Sequence, residues 1–371
     1  MNKSSAKRII AIDLMRAFAV VMMIQGHTVQ SLLDVSYKTS DSFVYHTWLF
    51  LRSFTAPLFI FVSGMIFTYL LFQNKNIVKS ADSKNTESNS KNQFSFRSNP
   101  RILKGIKRGI SLILIGYLLR YPTIKIFGLE GVSYSQWITF FAVDALHLIG
   151  VGLVLIVLFA TFSFKLKANP IITFSILAMA VFIASPFVNL IEWNSSANIF
   201  LTSYITFQFG SILPLFPYLQ FVFIGAVLGI MLSEKPKLLC EKRNLLVILL
   251  FGSVVVFISY ITNTEYSYAF LRIGVIIFLL SLFGFLGNTE KLLPKFIKSL
   301  ARNSIWLYII HLVILYGSPI SIGLFQIVGK TLSAEISIFI ALIMLILMTI
   351  ISLGIDKLRV NSFEKMQSKI G

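Results

Sequence analysis

Long apolar runs separated by short polar breaks dominate the chain. Ten runs are legible, at approximately 9–33, 47–73, 105–121, 138–163, 170–190, 214–232, 244–261, 268–287, 301–318 and 332–356. A helix of about 20 apolar residues crosses the hydrocarbon core of a bilayer. The pattern therefore predicts an all-α, polytopic integral membrane bundle of about ten transmembrane helices. No internal repeat of the pattern is detectable.

Polar positions inside the runs are few, and the first run holds the densest set: Asp13, Arg16 and His27 in RIIAIDLMRAFAVVMMIQGHTVQSLL. At about 100° per residue, eleven steps bring His27 within about 20° of Arg16, and Asp13 lies about 60° away. The three form one stripe, with Arg16 and His27 about 16 Å apart along the axis. A charge at mid-bilayer costs about 2.5–3.5 kcal/mol on insertion scales, so such groups mark function or a specific pairing. One reading pairs Asp13 with Arg16 near the interface and leaves His27 to pack. The other turns the stripe towards a polar cavity within the bundle, and it accounts better for three groups on one face.

Similar positions recur downstream. The second run carries Arg52 and Ser63, eleven residues apart and hence on one face, with Pro57 between them as an expected kink. Arg120 ends the third run, where it either snorkels or acts. Asp144 and His147 lie one turn apart in FFAVDALHLIGVGLVL, a spacing that lets a carboxylate orient an imidazole. Gly225 and Gly229 in the sixth run suit close helix packing. Arg272 enters the eighth run, and His311 sits two turns beyond Ser304 in the ninth. The 191–213 segment is poor in charge and rich in aromatics, which fits a segment that lies in the interface or folds back as a lid.

Composition adds the setting. Of 371 residues 56% are hydrophobic and 13% charged, with mean hydropathy +0.81. The net charge of +18 would point to nucleic acid in a soluble protein. Here 26 of the 33 Lys and Arg fall in alternate loops and termini, three (Lys38, Lys125, Lys330) fall in the others, and four (Arg16, Arg52, Arg120, Arg272) are embedded. That is the positive-inside pattern. It predicts both termini in the cytoplasm, places most embedded groups in the outer half with Arg16 deeper, and excludes nucleic acid as a partner. Residues 74–99, of which 16 of 26 are Ser, Asn or Lys, read as a disordered cytoplasmic insert. Residues 1–356 then form one transmembrane domain, followed by a basic tail over 357–371. A single cysteine, Cys240, leaves no disulfide framework. His27, His147 and His311 lie on separate runs without ligand spacing, so no metal is expected.

No nucleotide loop, serine elbow or zinc signature occurs. What does occur is a resemblance. Arg16, ten residues and then His27 resembles the signature of acyltransferase family 3. The blocks IDLMRAFAVVMMIQGH, SFTAPLFIFVSGM, VDALHLIGVGLVL, FPYLQFVFIGAVLG and ARNSIWLYIIHLVIL are closer to the bacterial relatives of heparan-α-glucosaminide N-acetyltransferase. The chain departs from the pattern at Ala17, where family members carry Gly, and in the 74–99 insert. The resemblance implies transfer of an acetyl or other short acyl group from cytoplasmic acetyl-CoA, a donor substrate with no permanently bound cofactor. The acceptor would be a sugar of an envelope glycan or glycolipid across the inner membrane. It also implies catalytic roles for Arg16 and His27. Asp13, Arg52, Ser63, Arg120, Asp144, His147, Arg272 and His311 are the expected donor- or acceptor-binding set. A homo-oligomer is compatible with this reading. The rival class is a proton-coupled transporter or exporter of an anionic solute, which would use the same buried charges.

Overall fold

The described residues of the computed structural model are 9–39, 42–81, 100–121, 131–193, 198–262, 264, 266–287, 294–318 and 320–367. They are almost wholly helical. In chain order the helices are α1 (Ile10–Leu32), α2 (Phe43–Arg52), α3 (Thr55–Ala81), α4 (Pro100–Leu119), α5 (Tyr134–Phe141), α6 (Ala145–Lys165), α7 (Pro170–Leu190), α8 (Ile199–Ile205), α9 (Leu215–Glu234), α10 (Lys242–Thr262) and α11 (Ser267–Gly287). After them come α12 (Lys295–Arg302), α13 (Ser304–Tyr316), the two-residue strands β1 (Gly317–Ser318) and β2 (Ser321–Ile322), α14 (Leu324–Val328) and α15 (Ala334–Gln367). Among the described residues, eight spans are long and apolar enough to cross a membrane. A ninth forms if α12 and α13, bent by 79°, count as one. The run at 105–121 belongs to α4, whose first half carries Arg101, Lys104, Lys107 and Arg108 and so falls outside that set.

Breaks within the apolar runs follow local chemistry. The second run is divided at Ser53–Phe54, and Pro57 is the third residue of α3. There its missing N–H has no helical acceptor to lose, so it starts a helix where a mid-helix kink was expected. The fourth run divides at Ala142–Asp144. Asp144 becomes the N-cap of α6, its carboxylate accepting from the N–H groups of Leu146 (3.0 Å) and His147 (3.5 Å). Asn169 and Asn198 cap α7 and α8 in the same way. α3 runs on to Ala81, through the first eight residues of the segment read as an insert, and 82–99 lie outside the described residues. α15 likewise extends through most of the basic tail to Gln367.

The chain divides into two compact units, residues 1–56 with 282–371, and residues 57–281. In the first, α1 packs against α12, α13 and α15. Its end is tied down by reciprocal backbone bonds, Leu332 N–H to Leu32 O (3.0 Å) and Asp34 N–H to Leu332 O (2.9 Å). In the second, α4 packs along α6 and α9 along α7. α9 also meets α3 through Gly225 and Gly229, as their spacing predicted. A Cβ on Gly225 would strike the carbonyl of Phe61 and lie 3.0 Å from the amide of Met65. Because backbone cannot yield as a side chain can, Gly225→Val is expected to destabilise by about 1–3 kcal/mol or more. This reads out as a lowered thermal midpoint in detergent. Gly354→Ala, with nothing within 4 Å of the added methyl, is expected to be neutral.

Candidate active site

The polar stripe of α1 faces α13, and its two ends meet the two ends of that helix. Arg16 donates from Nη2 to Ser304 Oγ at 2.8 Å. Ser304 is the first residue of α13, at the 79° bend from α12. His27 lies at the other end, its Nδ1 3.4 Å from the Tyr316 hydroxyl. That hydroxyl is itself fixed by Ser31 Oγ at 2.6 Å. The imidazole of His311 completes the group, with ring centroids 5.5 Å from those of His27. His311 is fully buried, and its Nδ1–H donates to the carbonyl of Leu307 at 2.8 Å. This fixes the tautomer and leaves Nε2 a buried lone pair with no hydrogen-bond partner among the described residues. Asp13, buried in the first turn of α1, lies one turn from Arg16.

Arg52 reaches this cluster from α2. Its side chain lies across Gly26, where an added Cβ would sit 3.2 Å from its Cδ and Nε. The guanidinium carbon is 5.7 Å from the Trp48 ring centroid, and Tyr316 and Tyr45 lie within electrostatic reach. Trp48 donates from Nε1 to Gln25 Oε1 at 2.8 Å, which clips α2 to α1. A glycine immediately before His27 thus lets a cation pass beside the imidazole. Two arginines, two imidazoles and a hydroxyl pair therefore lie along one helix face. That set can hold an anionic group, stabilise an oxyanion and move a proton.

A second constellation lies in residues 57–281. The Asp144 Oδ1–His147 Nδ1 distance is 2.9 Å, and Arg120 Nε donates to Asp144 Oδ2 at 3.2 Å. Arg120 Nη1 also holds the carbonyl of Thr139 (3.1 Å). The backbone N–H of Asp144 is 3.3 Å from the same His147 nitrogen. Both contacts converge on Nδ1, and Nε2 is buried with no hydrogen-bond partner among the described residues. The ring lies across Gly116 of α4, where a Cβ would come within 2.6 Å of Cε1.

Of the residues singled out in the sequence, Arg16, His27, Arg52 and His311 come together on one face, with Asp13 a turn away. Arg120, Asp144 and His147 form the second group. Ser63 and Arg272 have other partners among the described residues. The Ser63 hydroxyl is bonded back to the Phe59 carbonyl at 2.8 Å, and Arg272 sits over Tyr268, 5.9 Å from its centroid. Ser31 and Tyr316 were not anticipated, nor were Tyr117, edge-on to the His147 ring with centroids 4.4 Å apart, and Tyr204, which accepts from the Tyr117 hydroxyl at 3.1 Å. Ser31 was within reach of the α1 periodicity, four residues after His27. Tyr316 precedes Gly317, whose φ of 88° ends α13. Among the described residues, no three His, Cys, Asp or Glu side chains are placed to hold a metal ion.

Long apolar helices carrying buried imidazoles and partly buried arginines define a multi-pass membrane protein. The family model for "Heparan-alpha-glucosaminide N-acetyltransferase, catalytic" matches residues 8–264, more than half of the 371. The chain belongs to that family and is a membrane acetyltransferase-type enzyme. No curated protein and no solved structure gives a significant match. Arg16, His27, Arg52, Arg120, Asp144 and His147 lie within the matched segment; Ser304, His311 and Tyr316 lie beyond it.

Proposed function

We propose that the enzyme moves an acetyl or other short acyl group from acetyl-CoA on the cytoplasmic side to a hydroxyl or amine of an envelope glycan, in the inner membrane. The observation that carries this reading is the face shared by Arg16, His27, Arg52 and Tyr316. His27 accepts the proton of the acceptor O–H or N–H as that atom attacks the thioester carbonyl carbon. The carbonyl oxygen takes the negative charge, and a guanidinium stabilises it. Collapse re-forms the C=O bond and breaks the C–S bond. The departing thiolate takes the proton back from His27, leaving acetylated acceptor and free CoA. Tyr316, held by Ser31, orients the imidazole. Arg16, tied to Ser304, positions the phosphate-bearing donor.

The reading is tested by mass spectrometry of envelope glycans from cells with and without the protein. The acetyl mass increment is expected to vanish without it; unchanged glycans in both would contradict the assignment. Arg16→Lys keeps the charge and loses the planar fork, so transfer is expected to fall about 10- to 100-fold, the scale of one hydrogen bond to a charged group.

The orientation has its own test. Cys240 is exposed, in the loop between α9 and α10 with Lys235, Lys237, Lys242 and Arg243, which the charge bias assigns to the cytoplasm. A membrane-impermeant thiol reagent is expected to label it only after cells are opened. Labelling of intact cells would invert the topology.

A further inference from the structure

The first half of α4 carries a group of cations that the chemistry assigned to His27 does not use. Arg101, Lys104, Lys107 and Arg108 occupy its first three turns. α4 packs antiparallel to α6. A Cβ on Gly105 would lie 3.2 Å from Val157 Cγ2, and one on Gly109 would lie 2.7 Å from the carbonyl of Gly150. The start of α4 is therefore level with the end of α6, where Lys165 and Lys167 are exposed. No Asp or Glu occurs between Glu87 and Glu130, or between Asp144 and Glu192. This end of the α4–α6 pair thus gathers six cations and no carboxylate from either helix or from the turn into α7.

Orientation in the membrane asks for Lys and Arg on one side, but it tolerates Asp and Glu among them. In the α9–α10 loop, assigned to that same side, Glu234 and Glu241 do stand among Lys235, Lys237 and Lys242. The absence of carboxylates near α4 needs a further cause. Among the described residues, Lys104, Lys107 and Arg108 have no ion-pair partner.

The placement of the cations along the helix adds to this. Leu103, Lys107, Ile110, Leu114 and Leu118 follow one another at three- or four-residue spacing, so they share one face. All five are exposed, Leu114 at 63% and Leu118 at 60%. The opposite face, Ile102, Gly105, Gly109, Leu112 and Gly116, is buried. Lys104 and Arg108, also exposed, flank Lys107. Arg108 lies about 12 Å along the axis from Pro100, a depth at which a charge facing hydrocarbon is costly. Side chains of a helix lean towards its N-terminus, so these cations are carried back towards the start of α4 and the headgroup level. The result is one helix face with cations at one end and apolar rungs beyond them.

We propose that this face of α4 binds an anionic phospholipid. The headgroup phosphate accepts from Lys104, Lys107 and Arg108, with Lys165 and Lys167 adding to the positive field. An acyl chain lies along Ile110, Leu114 and Leu118. Charge and length both match, and a lipid phosphate is the anion that a bilayer itself supplies at this level. The site lies wholly within residues 57–281 and is independent of the acyl donor and acceptor.

The test incubates the purified full chain, in detergent and without acyl donor, with cardiolipin. Native mass spectrometry reads the lipid retained, and the thermal midpoint reads its effect. Cardiolipin is expected to be retained and to raise the midpoint, whereas phosphatidylcholine with the same acyl chains does neither. Lys107→Gln and Arg108→Gln are each expected to weaken cardiolipin binding about fivefold, the scale of one cation at an anionic lipid surface. Lys104→Gln takes the place of either variant that does not fold. Lys242→Gln combined with Arg243→Gln removes two exposed charges at the start of α10 and is expected to bind as the unaltered chain does. Normal binding by the folded α4 variants would overturn the site. An equal loss in the α10 variant, or equal retention of phosphatidylcholine, would do the same. A midpoint raised as far by inorganic pyrophosphate would assign the cations to a soluble anion and overturn the lipid.

Discussion

His27→Ala is expected to leave the protein folded and to lower acetyl transfer by about 10²- to 10⁴-fold, the usual contribution of a general base. The fold should survive because the imidazole is only half-buried and its neighbour is held independently. The Tyr316 hydroxyl keeps its 2.6 Å bond to Ser31, and α1 keeps its backbone ties to Leu332. The loss should appear mainly in kcat, since the group acts on a proton in flight rather than on bound substrate. Tyr316→Phe removes only the hydroxyl 3.4 Å from Nδ1 and should cost less. A folded His27→Ala protein with near-normal kcat would remove His27 from the chemistry.

Asp144→Ala carries the largest expected effect on stability, about 3–5 kcal/mol, the range for removing one partner of a buried pair. One carboxylate there satisfies three elements. It caps α6, meets the Nδ1 of a fully buried His147, and pairs with Arg120, whose side chain is 18% exposed. Alanine would leave a guanidinium and an imidazole without their shared acceptor. Asp144→Asn keeps an oxygen for the cap and loses the charge, so it should fall between the two. Thermal unfolding of detergent-purified protein reads the order, which is Asp144, then Asn, then Ala. An alanine variant as stable as the original would show that the cluster bears no structural weight.

Much of the fold was legible because hydrophobic length is a coarse, robust signal. The spans from Ile10, Pro170, Leu215, Lys242, Ser267 and Ala334 fall where the apolar runs lie. The breaks were not, because a run stays apolar through a change of direction. Nothing in its hydropathy separates α5 from α6 or α12 from α13; the decisive residues are caps such as Asp144. In α1, periodicity alone put Arg16 and His27 on one face. Asp144 and His147 were legible as a one-turn pair. Their contact with Tyr117 and Tyr204 depends on residues 117 and 204 meeting, and contacts of that separation leave no local trace. The Ser63 hydroxyl closes on the Phe59 carbonyl one turn back, a bond that helical phase does not foretell. Gly116 and Gly26 matter for what they admit, an imidazole in one case and a guanidinium stem in the other.

The central claim is covalent acetyl transfer by this chain. Its most direct test reconstitutes the purified protein in liposomes with acetyl-radiolabelled acetyl-CoA on the face bearing Cys240 and D-glucosamine on the other. The account predicts acetylated sugar that accumulates with time, and loss of that product by about 10²-fold or more in His27→Ala. Movement of unmodified solute with no label on the sugar would contradict it and favour a transporter.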